Sequence, residues 1–62
     1  MARNREIYTR AIESGDSAAW DQDWKTAISA YARAIQEVPD DPDAHNSLGL
    51  ALLQARRYED AL

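Results

Sequence analysis

The sequence predicts an all-α fold of antiparallel helix hairpins. Apolar residues recur at spacings of three and four, as on one face of a helix, and no stretch alternates apolar with polar residues as a half-buried strand does. Alanine is abundant, phenylalanine is absent and valine occurs once, a composition that favours helix over strand. Two segments interrupt the periodicity: aspartates at Asp21 and Asp23, then a cluster of prolines and aspartates from Pro39 to Asp43.

The first helix is expected from about Asn4 to Trp20. Its apolar stripe of Ile7, Ala11, Ala18 and Trp20 is weak and is interrupted by Ser14, Gly15, Asp16 and Ser17. The second helix is expected from about Trp24 to Glu37. Asp21 and Asp23 stand before it, where carboxylates accept from unpaired backbone N–H groups and face the positive end of the dipole. Ala27, Ile28, Tyr31, Ala34, Ile35 and Val38 form its stripe. Pro39 ends it, because proline lacks the N–H and crowds the preceding turn. Asp41 then reads as an N-cap and Pro42 as a first helical residue, where the missing N–H costs nothing, with Asp40 and Asp43 adding charge to the same end. The third helix is expected from Pro42 to about Gln54, with a stripe of Ala44, Leu48, Ala51, Leu52 and Ala55. Gly49 lies inside it, although glycine in a helix interior costs about 1 kcal/mol relative to alanine.

At 62 residues the chain holds one domain at most, and a chain of this size buries only about 60% of its unfolded surface. There is no cysteine, which excludes disulfides and thiolate zinc sites, and a cytoplasmic location is expected. The longest nearly apolar run, Leu48 to Leu53, falls far short of the ~20 residues of a membrane span, and "MARNREIYTR" lacks the apolar core of a secretory signal. The net charge is −4, and Arg3, Arg5 and Arg10 are interleaved with Glu6 and Glu13, a solvated helix face rather than a phosphate-binding patch. Neither a membrane nor a nucleic acid is therefore expected as a partner.

No catalytic constellation is present. His45 is the single histidine, and Ser14, Ser17, Ser29 and Ser47 lie in no nucleophile-elbow pattern, so neither an enzyme nor a cofactor is expected. Asp40, Asp41, Asp43 and His45 could be read as a hard-metal cluster. The glycine-hinged loop of a calcium site is absent, and helix capping accounts for the aspartates, so no metal is expected.

Compared with itself, the chain repeats at an offset of 34. Gly15 meets Gly49, Trp24 meets Tyr58, Ala27 meets Ala61 and Ile28 meets Leu62, with near matches of Ala11 to His45, Ala18 to Leu52 and Ala19 to Leu53. One unit reads Ala11, Ser14-Gly15, Ala18, Ala27, Tyr31, Ala34 and Pro39; the next reads His45, Leu48-Gly49, Leu52, Tyr58 and Ala61. Period and residues resemble the tetratricopeptide repeat family over about residues 8–62. Ala11 and Ser14 depart from it where Trp and Leu are usual, and His45 replaces an aromatic.

The resemblance implies a single domain over residues 1–62, with repeat one at about 8–41 and a partial repeat two at about 42–62. It implies an α-solenoid fragment of three main helices and a truncated fourth, cut from a longer chain. Gly15 and Gly49 would let paired helices approach closely. Trp24, Ala27, Tyr31, Ala34, Pro39, Leu48, Tyr58 and Ala61 would serve repeat packing. His45 would be half-buried in the aromatic's place. The function implied is a non-catalytic protein-interaction module whose concave face holds a peptide or helix. Thr9, Ile12, Asp16, Ala19 and Trp20 of the first unit and Asp43, Asn46, Leu50, Leu53 and Gln54 of the second would face that groove.

The family's turn within a unit carries glycine and then a capping aspartate. Asp23 keeps the cap, but Arg56 and Arg57 stand at the corresponding place in the second unit. Gln, Ala and Arg are good helix formers, so a helix running straight from Pro42 to Leu62 is the alternative to a turn. Its open apolar stripe would then be covered by another copy of the chain, and a homo-oligomer is expected, in one form by domain swapping.

Overall fold

Three helices form in chain order: α1 over Arg5–Trp20, α2 over Trp24–Glu37 and α3 over Pro42–Ala61. The computed structural model describes residues 5–61, with side chains described as far as Asp60. Among these residues there is no strand, and α2 packs against both α1 and α3.

The connections are short because each is closed by local hydrogen bonds. Past the end of α1, Gln22 N–H donates to the Ala19 carbonyl at 3.0 Å and Asp23 N–H to the Ala18 carbonyl at 2.8 Å. These are the paired bonds of a Schellman cap, which needs a left-handed residue between them. Gln22 is that residue, at φ 63°, where a glycine would be free of strain. Asp23 caps α2 by accepting from Thr26 N–H at 3.4 Å. At the other end of α2, Val38 N–H donates to the Ala34 carbonyl at 2.9 Å and Asp41 N–H to the Val38 carbonyl at 3.2 Å. The Asp41 carboxylate then accepts from Asp43 N–H at 3.0 Å, so the expected cap of α3 is present.

His45 departs from expectation. It is exposed, and its Nε2 donates to the Pro39 carbonyl at 2.8 Å. A ring with a polar edge on the first turn of α3 reaches back to the turn instead of filling an apolar slot.

The core is built from alanines, whose small side chains let helices lie close. Ala18, Ala27, Tyr31 and Ala51 form one cluster, with Trp24, Ile28 and Leu48 packed on it; Ala11, Ala34 and Ala44 form a second, with Tyr8 and Ile35. Helix α2 supplies Ala27, Tyr31 and Ala34, at most 4% exposed, and so lies in the middle of the stack. Gly15 of α1 is buried beneath the Tyr31 ring: a Cβ placed there would lie 2.7 Å from Tyr31 Cδ1 and 2.8 Å from Cζ.

The truncated fourth helix does not form as a separate element. Residues 55–61 continue α3, which runs for 20 residues or about 30 Å. The reason is local: Gln54-Ala55-Arg56-Arg57 contains no stop signal, whereas the equivalent Gln22-Asp23 carries a left-handed residue and a cap. Tyr58 therefore packs by a route other than the repeat implied. It meets its own repeat counterpart, Trp24, edge to face, with ring centroids 6.2 Å apart at 65°. Gly49 is corrected as well: nothing lies within 4 Å of a Cβ placed there, because no paired helix folds back on it. Ala61 ends α3, and Leu62 lies outside the described residues.

Candidate functional site

An open groove of about 370 Å³ runs between α1 and α3, with α2 beneath it. Asp16 and Ala19 of α1 form one wall. Ser47, Leu50, Ala51 and Gln54 of α3 form the other, and Trp24 and Tyr31 of α2 lie between them. Asp16 and Leu50 are equivalent in the 34-residue repeat, so the walls are the same face of two successive units.

One polar contact stands in this groove. Tyr31 O–H donates to Asp16 Oδ1 at 2.5 Å, which ties α2 to the α1 wall. Burial, then the hydrogen bond to Asp16 and the charge of that carboxylate, push the Tyr31 phenol up to about 12, so it stays a donor far beyond neutral pH. Trp24 Nε1 is buried and has no hydrogen-bond partner among the described residues.

Of the residues the sequence placed on the concave face, the structure brings Asp16, Ala19, Leu50 and Gln54 together as lining. Ile12 instead packs half-buried against both core clusters. Trp20, at the end of α1, is 88% exposed and outside the lining. Asp43, Asn46 and Leu53 are exposed on α3 and also lie outside it. Thr9 lines a separate cleft with Arg5, Tyr8 and Val38. The groove contains four residues not assigned to it from sequence, Trp24, Tyr31, Ser47 and Ala51. A signal for one of them existed: a tyrosine in an alanine stripe carries an O–H that must find a partner when buried.

The other side of α3 contrasts with α1. Ala11, Gly15 and Ala18 are buried. Their repeat equivalents His45, Gly49 and Leu52 are exposed, Leu52 to 50%. Among the described residues no group of three or more His, Asp or Glu side chains converges as a metal site would. No described helix is long and apolar enough to cross a membrane.

Stacked antiparallel helices on a 34-residue period, with a groove between equivalent faces, define a fragment of a helical-hairpin solenoid. A model of the tetratricopeptide repeat family matches residues 12–62, and the chain belongs to that family. Members of the family generally mediate protein–protein interaction and are typically non-catalytic. No curated protein and no solved structure matches the chain.

Proposed function

We propose that this chain is a non-catalytic interaction module that takes a peptide or helix in the groove between α1 and α3. The observation that carries this reading is the groove itself, with apolar Ala19, Leu50 and Ala51 for contact and Asp16, Ser47 and Gln54 for orientation. Repeat one at about 8–41 supplies one wall and partial repeat two at about 42–62 the other. Leu53 and Trp20, exposed beyond the lining, extend the apolar contact for a longer ligand. In this reading the protein works in the cytoplasm without cofactor or metal, and the lack of cysteine and the net charge of −4 are consistent with it. The test is selection of binders from a random-peptide library, followed by Leu50→Glu. Selected peptides should lose binding to that variant while its helical circular dichroism is kept. Undiminished binding, or no selected peptide, would remove the groove from consideration.

A second reading is favoured by one observation. No described residue covers the face of His45, Gly49 and Leu52, although its equivalent on α1 is buried by α2. Self-association through this face would give a homo-oligomer, with α3 docked on a second copy. Solution mass that rises with concentration and returns to the monomer with Leu52→Lys supports it. A mass near 7.0 kDa at every concentration rejects it.

A further inference from the structure

We propose that the α1–α3 groove selects a peptide carrying a basic side chain, Lys or Arg, whose cation lies beside Asp16. The inference rests on the interaction-module reading and specifies its ligand.

Charge is the first argument. Asp16 is the one ionisable group of fixed charge among the lining residues, and no lysine or arginine lines the groove. Arg57, three positions past Gln54 on α3, is not part of the lining. An acidic ligand side chain would face a carboxylate without a counter-charge, whereas a cation gains an attractive partner in a partly desolvated setting. The chain's net charge of −4 acts in the same sense at longer range.

Geometry is the second. A carboxylate has about four acceptor sites, and the Tyr31 O–H occupies one of them while holding Asp16 in place. The remaining capacity suits an ammonium or a guanidinium, which are donors only. The aliphatic stem of Lys or Arg matches Ala19 and Leu50. Because the Tyr31 phenol is held protonated well above neutrality, it does not supply a competing negative charge.

The experiment selects a random-peptide library on the native chain and on Asp16→Asn and Asp16→Lys, with circular dichroism as the fold check. The native chain should enrich Lys or Arg at one position, and replacing that residue by glutamine should weaken binding about tenfold. Asp16→Asn should abolish the enrichment and Asp16→Lys should invert it towards Asp or Glu. Peptides that depend on Leu50 but show no basic preference, or keep one with Asp16→Asn, would overturn this inference and leave the interaction module standing. Peptides insensitive to Leu50→Glu, or none at all, would overturn both.

Discussion

The same substitution, glycine to alanine, should have opposite effects at the two glycines of the repeat. In an exposed helix interior it stabilises by about 1 kcal/mol, since alanine has less backbone entropy to lose. Gly49 is exposed, and nothing lies within 4 Å of its Cβ site, so Gly49→Ala should show that gain in full. Gly15 has the same propensity term, but its Cβ would lie 2.7 Å from Tyr31 Cδ1 and 2.8 Å from Cζ. Tyr31 is 4% exposed and tied by its O–H to Asp16, so the ring has no free direction in which to yield. Overpacking of this kind costs about 1–3 kcal/mol, and a strained or broken Tyr31–Asp16 hydrogen bond adds about 0.5–1.5 kcal/mol. Net of the propensity gain, Gly15→Ala should destabilise by about 0.5–3.5 kcal/mol. Urea unfolding followed by circular dichroism measures both. The strain should be specific to the ring: with Tyr31→Ala as background, Gly15→Ala should become neutral or stabilising, giving a coupling energy of the same size. A stabilising Gly15→Ala would refute the packing described. A destabilising Gly49→Ala would show that another surface covers Gly49 in solution.

Gln22→Gly should raise stability by about 1 kcal/mol, because Gln22 holds φ 63° against a left-handed penalty of about 1–2 kcal/mol; the urea midpoint reports it. Replacing Arg56 by Gly and Arg57 by Asp should reduce helicity at the end of α3 and separate Tyr58 from Trp24. Circular dichroism, with Trp24 fluorescence in a Trp20→Phe background, measures this, and an unchanged spectrum would show that tertiary contact alone holds α3 straight. The Tyr31 phenol, raised from its ordinary value near 10 to about 12, favours the folded state below pH 10. That contribution is lost as pH rises through 10 towards 12, so alkaline stability should fall across this window in the native chain. Tyr31→Phe should remove the dependence.

Both ends of α2 and the start of α3 were legible because their signals are short-range, whereas α3 runs to Ala61, past the end expected near Gln54. Asp23 and Asp41 cap α2 and α3 through their own carboxylates, and Pro39 ends α2 by removing a donor. The packing of α1 on α2 was legible through the repeat, since Gly15, Ala27 and Tyr31 occupy fixed places on the 34-residue period. Where the second unit differs, the period misleads. Gly49 has the residue type of Gly15 but no ring above it. Tyr58 contacts its own repeat counterpart Trp24, because Arg56-Arg57 gives the backbone no reason to turn. His45 found a hydrogen bond to Pro39 that depends on the turn's shape, which spacing alone does not encode. In the groove, Asp16, Ala19, Leu50 and Gln54 were legible as one face of successive units. Trp24 and Tyr31 were read only as packing residues, because a side chain that both fills a core and presents a polar atom has one helical position for two roles. The family resemblance puts Trp20 on the concave face; α1 ends there and leaves it in solvent, outside the groove lining.

The most direct test of the central claim is a nuclear magnetic resonance titration of the native chain with a peptide selected on it. Residues on the two faces of α3 separate the outcomes. The account predicts shifts at Asp16, Ala19, Leu50 and Gln54 and at the Trp24 indole N–H, with Gly49 and Leu52 unmoved. Shifts centred on His45, Gly49 and Leu52, with the groove silent, would contradict it and place the interaction on the uncovered face of α3.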